Sequence, residues 1–323
     1  MGLLTSGLVP PTVNLDRTKE RIPMSRASRR EFVGYLASTA ALAATTVVFG
    51  DEPRQSRDGL KEPVLRVSKR LEPAPPAEHP LDQAITIARD GLEQIQKSIS
   101  DYSCLLVKQE RIKGKLMPTE HMHAEIRNEK VENGAVRQPF SVYLRFLKPE
   151  DMSGRQVIFV KGANNGKLVG KEAKGARKFF GAVWLPPEGL LAMAGQRYPI
   201  TDIGIENLVA KLIERGIRDK KNDPTGALTT SRIIPGAKIN GRKCTVIEAT
   251  HPEKKPWFDF YIARVFIDDE LQVPIRYAAY SWPTQPGGKP LLEEAYTHLN
   301  IKLNIGLKDE DFDHKTKFRQ QPA

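Results

Sequence analysis

One apolar stripe, followed by an abrupt change of period, constrains this chain more than anything else in it. Leu81, Ala84, Ile85, Ala88, Leu92, Ile95 and Ile99 recur at i, i+3, i+4, i+7, i+11, i+14 and i+18, one continuous face of a helix over 81–99. Pro80 suits its first turn. From Tyr102 onward the pattern becomes short runs of strand-forming residues broken by Gly, Pro and Asn. Strands are expected near 102–112, 119–128, 140–148, 155–161, 166–171, 229–234, 242–250, 258–268, 272–281 and 291–303. Lys113-Gly114, Asn133-Gly134, Asn165-Gly166, Asn240-Gly241 and Gly287-Gly288 read as hairpin turns, because tight reversals between strands need positive φ. A second helix is expected over 202–215, with Ile205, Leu208, Val209, Leu212 and Ile213 on one side, Asp202 as its cap and Gly216 as its stop. A short helix is expected around 187–194.

Many antiparallel strands with two or three helices define an α+β domain whose sheet must bury one face. The 81–99 helix has no helical partner of matching strength, so its apolar face is expected against the concave side of a curved sheet. The result is an antiparallel β half-barrel of about ten strands with two or three helices as its lid. In the third strand Phe140, Val142, Leu144 and Phe146 point one way, and Ser141, Tyr143, Arg145 and Leu147 the other. An interior of this kind is filled by side chains or by an apolar ligand. The expected lining is Phe140, Val142, Leu144, Phe146, Val157 and Phe159, with Leu92 and Ile95 from the lid. A register slip of one residue would turn the whole strand set to the other face.

Ahead of this domain, Ser28-Arg29-Arg30-Glu31-Phe32 opens a stretch that stays free of charge to Gly50. An arginine pair, an aromatic residue and a mildly apolar Ala- and Thr-rich segment have the layout of a twin-arginine export signal. The expected organisation is a signal over 1–50, a disordered Pro-rich linker over 51–80, the half-barrel over 81–312 and a disordered tail over 313–323. The address is the periplasm or cell envelope. The apolar stretch is close to the roughly 20 residues a spanning helix needs, so cleavage and retention as an anchor both stay open. Met1 and Met24 are both possible starts.

The formal net charge of +11 favours contact with anionic surfaces. An exported domain with no recognisable nucleic-acid motif is not expected to bind nucleic acid. Lys161, Lys167, Lys171, Lys174, Arg177 and Lys178 run into Phe179, Phe180, Val183, Trp184 and Leu185. That run is either a loop that docks on lipid headgroups or a solvated strand pair leading into core, and the second is the ordinary explanation. Cys104 and Cys244 lie in strand-like runs, which suits one disulfide or two separate buried thiols. His121 and His123 share a strand face and could ligate a divalent ion, but no third ligand stands at a recognisable spacing. Glu293, Glu294, Tyr296 and His298 could do acid–base work, although any half-buried strand alternates in this way. No nucleophile elbow, His-Glu-x-x-His pair or phosphate loop is present, so no catalytic residue, metal or cofactor is assigned.

Tyr102-Ser103-Cys104, Lys108-Gln109-Glu110-Arg111 and Arg197-Tyr198-Pro199-Ile200-Thr201-Asp202-Ile203-Gly204-Ile205 carry a resemblance. Over about 81–312 the chain resembles the exported bacterial domain-of-unknown-function family 1571. More distantly, its layout is similar to the lipoprotein-carrier (LolA/LolB-like) fold. The shared features are the N-terminal helix, Pro139-Phe140, Val273-Pro274-Ile275-Arg276, and the closing Asn304-Ile305 to Asp311-Phe312 segment. The resemblance implies an open half-barrel with a helical lid that holds acyl chains. The expected role is non-enzymatic: a monomeric envelope protein binding a lipid or an acylated partner, with an anionic membrane surface as a further contact. A filled, purely structural barrel and an unrecognised hydrolase are the other readings. Arg29→Lys combined with Arg30→Lys is expected to leave the product in the cytosol on fractionation; unaltered export would refute the twin-arginine assignment.

Overall fold

Residues 78–319 are described by the computed structural model of the chain. The export segment, and all but the last three residues of the expected linker, lie outside the described residues. Those three belong to the fold. His79 is buried, its Nδ1 accepting from the Leu81 amide at 3.1 Å and its Nε2 lying 2.9 Å from the Asp223 carbonyl. The chain then enters α1 (Asp82–Ser98).

A first meander follows. It consists of β1 (Asp101–Ile112), the short β2 (Lys115–Leu116) and β3 (Glu120–Arg127). A separate hairpin of β4 (Lys130–Glu132) and β5 (Ala135–Gln138) comes next, then β6 (Ser141–Lys148), β7 (Gln156–Val160), β8 (Leu168–Lys171) and β9 (Ala182–Leu185). An irregular segment leads to α2 (Ile205–Asn222). The second meander is β10 (Thr230–Ile239), β11 (Arg242–Thr250), β12 (Ile262–Asp268), β13 (Pro274–Ser281) and β14 (Leu291–Leu303), and a final turn forms α3 (His314–Lys317).

Both meanders join one antiparallel sheet, ordered β10-β11-β12-β13-β14-β1-β3-β6-β7-β8-β9. The joint is the β1–β14 ladder, which sets Tyr102 opposite Leu303 and Glu110 opposite Glu294. The end strands β9 and β10 do not pair, so the barrel stays half open. Turn chemistry places the strands as expected except at Gly287-Gly288, which lies inside a longer link over 282–290 between β13 and β14. Lys113-Gly114, Asn133-Gly134 and Asn240-Gly241 all take positive φ at both positions, the type I′ geometry whose twist matches a hairpin. The main core joins Leu106, Met122, Ile126 and Val142 of the sheet to Ile95 of α1 and Ile205 and Val209 of α2.

Four features depart from the sequence expectation. First, α2 does not stop at Gly216 but runs on to Asn222. A Cβ at 216 would stand 3.2 Å from Ile85 Cγ1, so the glycine serves close approach between α1 and α2, and α1 does have a helical partner. Asp202 does not cap α2 either; it sits in a preceding 3-10 turn and pairs with Lys211. Second, β10 passes through Pro235-Gly236 as a bulge, with Gly236 at φ 84°. An edge strand tolerates the missing proline donor. Third, 187–194 forms turns and no helix. Fourth, the described residues after 312 pack. Phe312 and Phe318 are buried against Tyr143, Ile158 and Val169, which covers the convex face of β6–β8.

The C-terminal end of α2 is tied down by buried polar groups. Asp223 accepts from the Thr229 hydroxyl at 2.8 Å and the Leu228 amide at 3.0 Å. His251, stacked 3.8 Å from Phe258, lies 3.4 Å from the Asp219 carboxylate. Overpacking the helix crossing tests its closeness. Gly216→Leu is expected to cost about 1–3 kcal/mol in urea unfolding. Gly91→Ala, where a Cβ meets nothing within 4 Å, should be neutral or stabilising by up to about 1 kcal/mol.

Candidate functional site: a lidded hollow in the half-barrel

The half-barrel is not filled along its whole length. Below α1 it is solid: Ile95, Val142 and Ile126 are closely packed there. Toward the other end the sheet and its cover part, leaving a cavity of about 550 Å³. Its roof is the irregular segment from Pro187 to Gly204 together with Leu208, Lys211, Leu212 and Arg215 from the first turns of α2. The apolar floor comes from alternate residues of successive strands: Leu106, Met122, Leu144, Phe146, Val157 and Leu168.

This corrects the expected lining in part. Leu144, Phe146 and Val157 stand on the wall. Leu92, Ile95, Phe140, Val142 and Phe159 do not: Ile95 and Val142 are core, Leu92 and Phe140 pack against that core, and Phe140 and Phe159 meet ring to ring at 6.3 Å. Strand parity holds, because Val142, Leu144 and Phe146 share one face. What differs is position along the strand. The 81–99 helix plugs one end of the groove, and the 187–204 segment with α2 roofs the other.

The far end of the hollow is polar. Glu294 of β14, almost fully buried, accepts from Tyr277 Oη at 3.2 Å, from Arg215 Nη1 at 3.4 Å and, through its other oxygen, lies 3.2 Å from Arg197 Nε. Arg215 also donates to the Tyr198 hydroxyl at 2.7 Å and the Tyr277 hydroxyl at 3.1 Å. Glu110 accepts from the Tyr296 hydroxyl and, at 3.0 Å, from the Arg197 amide. Lys108 stands 3.1 Å from Glu120 and 3.5 Å from Glu110 and donates to Gln196 of the roof. Sheet and lid are therefore joined by one hydrogen-bonded ionic network.

Protonation follows from that enclosure. Burial, then the Glu294 carboxylate, pushes the hydroxyls of Tyr277, Tyr198 and Tyr296 above their ordinary range, so all three stay donors. Burial opposes the Arg215 charge, but the accepting hydroxyl oxygens of Tyr277 and Tyr198 and the Glu294 carboxylate outweigh it and hold the guanidinium protonated. His298, also on the wall, is lowered to about 4 by burial and stays neutral. Every carboxylate of the network faces cations or hydroxyls, an arrangement that suits holding a lid better than moving a proton.

Cys104 and Cys244 are two buried free thiols on β1 and β11, raised by burial to about 12 and about 11. His123 pairs with Glu125 at 3.1 Å, and Glu125 with Lys317 at 2.5 Å. Among the described residues no group of three or more His, Cys, Asp or Glu side chains is set to hold a metal. Asp219, His251 and Thr229 have the composition of a catalytic series, yet all three are buried and none lines the cavity. Lys108, Glu110, Tyr198 and Arg215 of the polar end escaped reading as a site; the Arg197-Tyr198-Pro199 block was the signal that touched it.

Such an architecture defines a class: an open antiparallel half-barrel whose hollow is roofed by a helix and a long irregular segment. The chain belongs to the DUF1571 family of proteins of unknown function, whose family model matches residues 99–319. The match takes in the whole sheet and the packed C-terminal segment. No curated protein matches the chain. Solved structures with a distant likeness include a DUF1329 family protein from Desulfovibrio piger, at 12% identity over 74% of this chain and 99% of that chain, TM-score 0.34. LprF from Mycobacterium bovis shows 12% identity over 72% and 97%, TM-score 0.35. A LolA superfamily protein from Nitrosomonas europaea shows 10% identity over 70% and 96%, TM-score 0.26.

His298 gives this site a measurable pH signature. Its pKa of about 4 lies below the value of about 6.5 in an unfolded chain, so the unfolded state takes up the proton first as pH falls. Stability is thus lost on going down from about pH 6.5 to about pH 4, by about 3 kcal/mol in all. His298→Leu is expected to remove that share of the acid-side slope in urea unfolding; an unchanged slope means the ring is not shielded.

Proposed function

We propose that this protein is an exported cell-envelope binding protein that holds an apolar or amphiphilic ligand, a lipid or an acylated partner, in the hollow of its half-barrel. The observation that carries this reading is the cavity itself. A volume of about 550 Å³ with an apolar floor falls in the range of about 300–1,000 Å³ usual for small-ligand sites. Leaving such a surface unfilled forgoes packing that a core would otherwise make, at about 25 cal/mol per Å² of apolar area. An occupant recovers that loss.

The polar network supports the reading from the other side. Glu294, Arg215, Arg197 and the tyrosines satisfy one another, which keeps α2 and the 187–204 segment off the sheet without filling the space between. The role is binding without chemistry: the buried tyrosines stay protonated, and the two cysteine thiols are buried. Leu144, Phe146 and Val157 hold the apolar part of the ligand. Export by the twin-arginine route, a linker up to the domain and a monomeric state complete the proposal.

Native mass spectrometry of protein purified from its own envelope is expected to show a co-purifying acyl mass. In solution, cis-parinaric acid should bind with enhanced emission, and Val157→Trp, which fills the hollow, should weaken it at least about tenfold at unchanged melting temperature. Finding no bound mass and no parinaric acid uptake would sink the proposal.

A further inference from the structure

The mouth of the cavity carries an apolar rim that no packing explains. Phe180 and Leu191 are 75% and 70% exposed, yet both line the cavity, which sets them at its opening. Their chain neighbours Phe179 and Leu190 are 80% and 93% exposed. Scattered exposed apolar residues are ordinary; large ones gathered at one opening mark a contact surface. Phe179 and Phe180 are held out by a 3-10 turn over Ala176–Phe180, flanked by Gly175 and Gly181 at φ 67° and 68°. That backbone conformation suits glycine, and it presents the two rings as a tip.

Charge identifies what the tip meets. Between 171 and 181 the sequence carries Lys171, Lys174, Arg177 and Lys178 against Glu172 alone. Lys174 is paired with Glu150, but Lys178 is exposed, its ammonium 4.9 Å from the Phe179 ring. Lys171, by contrast, donates to the Phe318 carbonyl at 3.3 Å and is turned away from the rim. Aromatic and aliphatic tips beside cations, on a chain of net charge +11, match the boundary of an anionic bilayer, where apolar groups enter the acyl layer and ammonium groups meet phosphates.

We propose that the rim formed by Phe179, Phe180, Leu190 and Leu191 docks on an anionic lipid bilayer, with Lys178 at the headgroup level, so that the cavity opens directly onto the membrane. An acyl chain then passes between bilayer and hollow without crossing water. Passage rests on the ligand-binding reading above; docking does not.

The two are separable by experiment. In the full chain, Leu190→Cys is labelled with an environment-sensitive nitrobenzoxadiazole dye; the native Cys104 and Cys244 are buried. A control label goes to Lys238→Cys on β10, the opposite edge strand. Vesicles of phosphatidylglycerol and phosphatidylcholine are expected to raise and blue-shift emission at 190, with quenching by acyl-chain nitroxide lipid, and to leave 238 unmoved. Lys178→Glu should weaken vesicle binding about tenfold. No change at 190, equal changes at both positions, or vesicle binding indifferent to the charge reversal would each overturn docking. Failure of parinaric acid uptake with a positive rim signal would leave docking standing and remove ligand passage alone.

Discussion

The site depends on one buried carboxylate. Glu294 projects from the central strand β14 into the groove and gathers Arg215 from α2, Arg197 from the roof segment and Tyr277 from the next strand. Few other side chains could do this. An apolar residue would draw the lid down onto the sheet. A lone charge would carry a desolvation penalty of several kcal/mol. Only a carboxylate met by two guanidinium groups and a hydroxyl is both satisfied and stiff, and its satisfaction fixes the distance between lid and floor.

From that spacer the rest of the groove divides. On one side of it the floor is lined by Leu106, Leu144, Phe146 and Val157, and nothing from the lid reaches down to fill the space. Further along, α1 closes the groove as true core, drawn close to α2 because Gly216 has no side chain to hold it off. Tyr102 ties that end too: its hydroxyl accepts from the Ile205 amide at 2.9 Å, satisfying a donor that the first turn of α2 leaves open. The lid is therefore pinned at both ends, and the cavity lies between them.

Much of the fold was legible in the sequence because its signals are local. Strand runs bounded by Asn-Gly and Lys-Gly turns need nothing beyond neighbouring residues, and the ten expected strands correspond to β1, β3, β6, β7, β8 and β10–β14. The short β9 and the β4–β5 hairpin were not legible as strands, since their brief runs gain support from pairing and not from their own pattern. Gly216 misled, and the strand expected to end near 234 runs on through a bulge at Gly236. Glycine signals an end in isolation, whereas here one permits a helix crossing and the other a bulge on an edge. The tail expected to be disordered from 313 packs in its described part, where Phe318 joins Phe312 on the outer face of β6–β8.

The sequence alone determined the order of elements and which strand face is apolar, because side-chain alternation and turn conformation are properties of neighbours along the chain. It placed Val142, Leu144 and Phe146 on one inner face correctly. Where along that face solid core gives way to a hollow was settled only in three dimensions. That boundary is set by long-range pairs, Glu110 with Arg197, Glu294 with Arg215, Ile85 against Gly216. No periodicity encodes them, because their partners lie on separate elements that meet only when the sheet has curved and α2 has crossed it.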